Sequence, residues 1–416
     1  MTAAARPPLP PGFRLQVDER TRTSDDGCVL DGGSPWRMLR LTWRGASMAE
    51  RLLDGAPVTD EVEGALARRL VDGGLAHPLP PATSGASMTV VVPVRDRADE
   101  LAACLAALAT LPVVVVDDGS RDGHAVEEVV RRHGAQLVRR PQCRGPAAAR
   151  NSGLANVETE LVAFVDSDCR ASASALRGLA RHLTDPLVAA AAPRVLPTRR
   201  SGGDSTRSPL DMGARPARVA PGARVSYVPS AALVIRREPL VALGGFDESL
   251  RYGEDVDLCW RLDAAGWSVR YDPRVAVGHV EPDGWPALAR RFHYGTSAAP
   301  LAQRHPGALR GPSLRGVTAP LSLAGAQSAG ETSLPPELLR RVVRTSPAST
   351  VAGLVRWATP LWWPPLAALG VDPRRAVSVI ADEAAYGAGV WWGCLRSRTF
   401  EPVLPAVSAR RPTSSP

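Results

Sequence analysis

The chain has 416 residues, 44% of them apolar and 22% charged, the proportions of a globular protein with a sizeable core and room for about two to three domains. Its fifty basic residues are all arginine, which excludes mechanisms built on an ε-amine, such as a pyridoxal Schiff base or the lysine of a phosphate-binding P-loop. A formal charge of +8 favours anionic partners, with nucleotide phosphates, nucleic acid and an acidic membrane surface all open on charge alone.

Residues 1–85 read as a small separate unit. The pattern predicts a strand over Trp36–Leu41, a helix over Ala46–Leu53 and a second over Asp60–Asp72, with Val62, Leu66 and Leu70 recurring on one face until Gly73-Gly74 stops it. Pro78, Pro80 and Pro81, followed by Ala-Thr-Ser-Gly-Ala, read as a linker.

From Met88 short β-branched runs alternate with helical segments, the signature of an α/β domain around a mostly parallel sheet, here spanning 86–305. Strands are expected at Met88–Val92, Val113–Val116, Gln136–Val138, Leu161–Val165 and Leu187–Ala191, and Asp99–Leu108 is a covering helix with Leu101, Leu105 and Leu108 on one side. Residues 193–224, rich in arginine, proline and glycine, read as a mobile loop before a strand-like Val225–Ile235 and a helix over Glu254–Ala265. Residues 306–416 form a helical or irregular region that holds half of the ten tryptophans, Trp357, Trp362, Trp363, Trp391 and Trp392. Neither 316–330 nor 357–371 makes a convincing spanning helix, so peripheral contact with a membrane or an apolar partner is the reading for the tryptophans.

The six cysteines, Cys28, Cys104, Cys143, Cys169, Cys259 and Cys394, are scattered with no CxxC pair, and proline follows Arg6 where a secretory signal needs an unbroken apolar stretch. A reducing cytoplasm is expected, with the Trp-rich tail at the inner face of the cell membrane if it meets lipid.

Two carboxylate sites fall at strand ends. Val113–Val116 runs directly into Asp117-Asp118-Gly119-Ser120, and ligands of open parallel sheets bind beyond the carboxyl ends of strands, where these carboxylates can hold a ribose or base. Leu161–Val165 runs into Asp166-Ser167-Asp168, a partial shell for Mg²⁺ or Mn²⁺. Between them Gly145–Gly153 is a small-residue helix start carrying Arg150, suited to a diphosphate or simply to close packing on the sheet. Gly253-Glu254-Asp255-Val256-Asp257 opens a helix whose dipole favours acids in any case; beside a bound donor, a carboxylate here can take a proton from an acceptor hydroxyl. His279 follows a strand-like Val275–Gly278, where it can complete a metal shell or remain a hydrogen-bonding surface residue.

The ordered motifs Val90–Arg97 (VVVPVRDR), Asp117-Asp118-Gly119-Ser120, Ala149-Arg150-Asn151, Asp166-Ser167-Asp168 and Gly253-Glu254-Asp255 resemble glycosyltransferase family 2, over about Ser87–Ala299. The resemblance implies a GT-A nucleotide-sugar-binding domain. It implies that Asp117 and Asp118 hold the nucleoside, that Asp166 and Asp168 bind the metal and diphosphate, and that Asp255 is the base of an inverting transfer; Pro93, Arg150, Asn151 and Asp166 are read as further nucleotide-sugar contacts, His279 as a third ligand of Mn²⁺ or Mg²⁺, and Glu254 as a second catalytic carboxylate. Residues 1–85 resemble the small α+β winged-helix, PqqD-like modules that recognise precursor peptides, and Ala381–Cys394 resembles the end of the mycofactocin-pathway glycosyltransferases. That subfamily implies UDP-glucose as donor, the peptide-derived redox cofactor mycofactocin as acceptor and a β-linked glucose product. Members commonly carry strongly apolar segments after the catalytic domain, whereas 310–345 here is dotted with arginine.

The rivals are a family 2 enzyme acting on a cell-envelope polysaccharide or lipid-linked acceptor, and a non-catalytic peptide-binding scaffold. A sugar nucleotidyltransferase is disfavoured because Pro93-Val94-Arg95-Asp96 stands where it needs a glycine-rich loop with a basic residue, and a dinucleotide oxidoreductase because no GxGxxG follows the first strands. Nucleic acid is not an expected partner, since arginine is spread along the chain and mixed with acid.

Overall fold

The computed structural model describes residues 6–82, 85–198, 208–282, 284–309 and 373–403. They fall into two compact units, Met1–Pro282 and Asp283–Pro416.

The first unit begins with β1 (Arg14–Val17), β2 (Arg22–Thr23), β3 (Val29–Gly32), β4 (Arg37–Arg40), α1 (Trp43–Leu53), α2 (Glu61–Asp72) and β5 (Ala76–Leu79). β2, β3 and β4 make an antiparallel sheet, and β1 pairs with β5. Both helices start on side-chain caps: Thr42 accepts from the Gly45 N–H at 3.2 Å, and Asp60 from the Glu63 N–H at 2.9 Å. Phe13, Leu15, Leu30, Leu52, Leu66, Leu70 and Leu75 close one core. Val62 does not join Leu66 and Leu70 there but is exposed. At Gly64 the helix passes so close to Leu9 that a Cβ would sit 2.5 Å from the Leu9 carbonyl oxygen, which turns Val62 to the far side. Pro78, read as linker, belongs to β5, a strand of a two-stranded sheet where proline's missing N–H costs no central ladder bond.

The catalytic-size sheet comprises β6 (Met88–Val94), β7 (Val113–Asp118), β8 (Gln136–Arg140), β9 (Leu161–Val165), β10 (Cys169–Arg170), β11 (Val188–Thr198), β12 (Ala217–Val219), β13 (Ala232–Arg236) and β14 (Ser268–Val280). Its order is β10-β14-β11-β13-β9-β6-β7-β8, with β12 on β14. β9, β6, β7 and β8 run parallel, as do β11 and β14, while β10, β12 and β13 pair antiparallel. The helices are α3 (Ala98–Ala107), α4 (Gly123–Arg132), α5 (Pro146–Leu154), α6 (Ala173–Ala180), α7 (Arg237–Ala242) and α8 (Glu254–Ala264). The β-branched runs of β6, β7 and β9 are buried almost throughout, as strands covered on both faces must be. α5 lies tight on them: a Cβ at Gly153 would come within 2.3 Å of Val91 Cγ1 and 3.1 Å of Val116 Cγ2.

The expected loop over 193–224 is in part ordered sheet. β11 runs through Pro193 and Pro197 to Thr198, and β12 lies within it; residues 199–207 are outside the described part. The strand expected from Val225 begins only at Ala232.

The second unit contains α9 (Trp285–Thr296), α10 (Ala298–Arg304) and α11 (Pro373–Ser397). Three glycines let α9 and α11 touch backbone to backbone: a Cβ would lie 2.2 Å from Tyr386 O at Gly295, 2.0 Å from Phe292 O at Gly389 and 2.6 Å from Thr296 O at Gly393. Trp391 and Trp392 are exposed on α11, and among the described residues no helix is long and apolar enough to cross a membrane. The segments 310–345, 316–330 and 357–371, with Trp357, Trp362 and Trp363, lie outside the described residues.

Candidate active site

After β6 the chain adds β7 and β8 on one side, then returns to place β9 on the other. This reversal opens a crevice beyond the carboxyl ends of the parallel strands. Pro93, Asp117, Asp118, Asp166 and Asp168 all come from those ends.

Asp117 and Asp118 are buried and already engaged. Asp117 accepts from the Ser120 N–H at 2.9 Å and has Arg139 Nε at 3.4 Å. Asp118 accepts from the N–H groups of Arg144 and Gly145 at 3.2 and 2.9 Å and from Cys143 Sγ at 3.2 Å, with Arg140 Nε at 3.0 Å. It thereby ties the end of β7 to the loop that starts α5. Gly119, at φ +72°, sits beneath that loop, where a Cβ would be 2.9 Å from Cys143 N.

Arg150 on α5 is 3% exposed and holds two carboxylates, Asp166 Oδ1 at 2.7 Å through Nη2 and Glu254 Oε1 at 2.9 Å through Nη1. Burial works against its charge, but Asp166, Glu254 and Asp255 overcome it and hold the guanidinium firmly protonated. One side chain thus links the end of β9 to the start of α8. Its neighbour Asn151 turns away from the crevice: its amide accepts from the Phe246 N–H at 2.9 Å and donates to Phe246 O at 2.9 Å and Glu248 Oε1 at 3.0 Å, pinning the loop ahead of α8.

At the end of β9, Asp168 is buried and meets Arg97 Nη1 on one side. On the other, His279 Nε2 lies 3.5 Å from Asp168 Oδ1, while its Nδ1 lies 3.0 Å from Glu281 Oε1. β10 pairs Cys169 with His279, so the register itself brings the histidine to the acid pair. Asp168, Cys169 and His279 each offer one potential ligand atom within 4.8 Å of the others. Carboxylates suit Mn²⁺ or Mg²⁺, an imidazole can join them on Mn²⁺, and a carboxylate on the far ring nitrogen is the usual support for a ligating histidine. The Cys169 thiol is pushed well above its ordinary pKa by burial and by Asp166 and Asp168.

Asp255 stands at the start of α8, whose Gly253 cap is left-handed at φ +84°. The side chain stays partly open to solvent although its surroundings are densely packed. That packing, and the charge of Glu254 beside it, raise its pKa to about 7, against the pull of the Val256 N–H and Arg150.

The description Glycosyl transferase family 2 matches residues 89–242. Over 480 aligned residues the chain is 38% identical to the Pre-mycofactocin glycosyltransferase of Mycobacterium tuberculosis, in two strains, covering 96% of this chain and 98% of that protein. The chain belongs to glycosyltransferase family 2. It is a glycosyltransferase, and it groups with the mycofactocin-pathway enzymes along nearly its whole length. A shorter match, 36% identical over 121 residues, links 27% of this chain to 39% of the N-acetylglucosaminyl-diphospho-decaprenol L-rhamnosyltransferase of the same organism. The mannosyltransferase PcManGT of Pyrobaculum calidifontis, solved with GDP-Man and Mn²⁺, superposes with a TM-score of 0.47 at 20% identity, covering 76% of this chain and 90% of that one; so loose a likeness says nothing about donor or metal here.

For this family 2 enzyme, Arg150, Asp166, Glu254 and Asp255 form one group and Asp168 and His279 another, both at the same sheet edge. Pro93 stays in the ladder opposite Val116, and Asn151 serves a neighbouring loop. Sequence reasoning did not single out Arg97 or Glu281. A charged residue just past a parallel strand was the available signal for Arg97, while nothing local marks Glu281 as a histidine's partner.

Proposed function

We propose that the chain transfers a hexose, with UDP-glucose as donor, to a hydroxyl of the mycofactocin precursor, with inversion to a β-linked product. The observation that carries this reading is the end-to-end similarity to the Pre-mycofactocin glycosyltransferase, taken with a near-neutral carboxyl at Asp255 beside the strand-end carboxylates. Asp255 takes the acceptor hydroxyl proton; the freed oxygen bonds to the anomeric carbon as the bond to the nucleoside diphosphate breaks. Arg150 fixes the base end of the site to Asp166, and half-exposed Arg97 faces the departing diphosphate. Asp117 and Asp118 shape the nucleoside pocket by fixing the loop before α5, and Pro93 forms part of its floor. Asp168 and His279, with Asp166, would hold Mn²⁺ or Mg²⁺, which when bound supplies neutralisation of the leaving diphosphate's charge. Residues 1–85 serve as the PqqD-like module that takes the peptide end of the acceptor.

The rhamnosyltransferase match and the exposed Trp391, Trp392 and Leu395 favour a second reading, a lipid-linked acceptor reached by peripheral membrane contact. Purified chain with Mn²⁺ or Mg²⁺ and a panel of nucleotide sugars, with nucleotide release measured, separates the two. Release stimulated by the mycofactocin precursor supports the first reading; release only with a polyprenyl-diphosphate acceptor in detergent replaces it with the second.

A further inference from the structure

Arg270, on β14, is 2% exposed, yet among the described residues no atom accepts a hydrogen bond from its Nε, Nη1 or Nη2. A guanidinium carries five N–H donors, and burying it without partners is strongly unfavourable. Burial lowers its pKa to about 10, with Asp185 and Asp72 opposing the shift and Arg218 and Arg68 adding repulsion, so it remains a cation at neutral pH.

Most of the carboxylate oxygens around it are committed elsewhere, Asp72 Oδ1 being the one buried without a partner among the described residues. Arg68 of α2 donates to Asp185 through both Nη atoms, at 2.8 and 2.7 Å. Arg218 gives Nη2 to Asp263 at 2.8 Å, and Asp72 has its Oδ2 3.4 Å from Arg6. Four guanidiniums, Arg6, Arg68, Arg218 and Arg270, therefore share three carboxylates, Asp72, Asp185 and Asp263, leaving one positive charge in excess.

The unsatisfied donors also share one face of the sheet. Arg218 is the residue directly opposite Arg270 in the β12–β14 register, so both side chains rise from the same sheet face. Ser268, two residues before Arg270, shares that face. Arg218 Nε and Ser268 Oγ are, like the Arg270 nitrogens, buried atoms without a hydrogen-bond partner. Water would satisfy such donors but not the surplus charge.

We propose that Arg270, with Arg218 Nε and Ser268 Oγ, forms a buried site for one small inorganic anion of halide size, which fastens the N-terminal segment to the large sheet. The fastening follows from membership of the cluster: Arg68 and Asp72 come from α2, Asp185 and Arg270 from the α/β sheet region. An anion that binds only the folded, docked chain stabilises it by mass action.

The test uses the full chain in buffer with gluconate as the only anion, titrated with chloride at constant ionic strength while the melting temperature is followed. The expected result is a rise that saturates in the unmodified protein and is lost in Arg270→Met, together with an anomalous peak beside Arg270 in crystals grown with bromide. A melting temperature indifferent to chloride, an undiminished rise in Arg270→Met, or no bromide peak beside Arg270 overturns the proposal. If Arg270→Met does not fold, the titration and the bromide peak of the unmodified chain decide it.

Discussion

Arg150 Nη2 lies 2.7 Å from Asp166 Oδ1 while Nη1 of the same guanidinium reaches Glu254, so one arginine of α5 joins two motifs that lie far apart along the chain. Replacing Arg150 with Met leaves two carboxylates facing each other without their cation. Loss of one partner from a buried pair costs about 3–5 kcal/mol, and denaturant unfolding should register it. Arg150→Lys retains the charge but cannot fork between two acids, so it should recover part of the stability and little of the transfer rate. Equal kcat in Arg150→Lys and the unmodified enzyme would count against the bridging role.

Asp255→Asn preserves shape and removes the proposed base. Transfer should fall by about 10²–10⁴-fold while donor affinity, measured by calorimetry, stays within about twofold. Undiminished turnover would move the base elsewhere.

The pH dependence follows from the same group. Asp255 must be ionised to accept a proton, and its pKa is raised to about 7, so kcat/KM should climb through about pH 6–8 and level above it, an ascending limb missing in Asp255→Asn. The stability sign is the reverse. A carboxyl whose pKa is higher in the folded than in the unfolded chain releases its proton more readily when unfolded, so it lowers stability as pH rises from about 4 to 7 and has no effect below that window. Asp255→Asn should therefore melt above the unmodified enzyme at pH 8 and level with it at pH 4.

Removing the side chains proposed to hold the ion should act on donor binding. Asp168→Ala and His279→Ala should each abolish the enhancement of UDP-sugar affinity by Mn²⁺, while a chelator reduces the unmodified protein to the same level. Equal donor titrations with and without metal in the unmodified chain would argue against an ion here.

Asn151 gives a contrasting case. Its two 2.9 Å bonds with Phe246 are within the protein, so Asn151→Ala should cost about 1–3 kcal/mol of stability through buried groups left unpaired. Donor KM should change little in the fraction that remains folded, measured at low temperature.

Much of the α/β domain is legible from pattern because its central strands are buried on both faces: Val113–Val116 and Leu161–Val165 are uninterrupted apolar runs ending in acids, and both are strands with acids at the crevice. β14 is harder to see because Arg270, Tyr271 and Asp272 interrupt its apolar residues, each with buried surroundings that only distant segments supply. The same holds for β1, β2 and β3, short strands with little apolar alternation, stabilised by α1 and α2 packing on them. Arg150 reads as a diphosphate ligand because it lies on a helix that starts with small residues; the two carboxylates it also holds are partners that no local spacing reveals.

The sequence by itself determined the strand-end acids, the helix that begins at Glu254 and the family, since each rests on residues adjacent along the chain. Only the tertiary structure decided that Arg150 serves Asp166 and Glu254, that Asn151 holds a loop, that His279 stands beside Asp168 across a β10–β14 pairing, and that Arg270 is buried without a hydrogen-bond acceptor among the described residues. The physical reason is that charge pairing and burial depend on distance in space, and the parallel crossovers of this sheet bring into contact residues as far apart in sequence as Arg150 and Glu254.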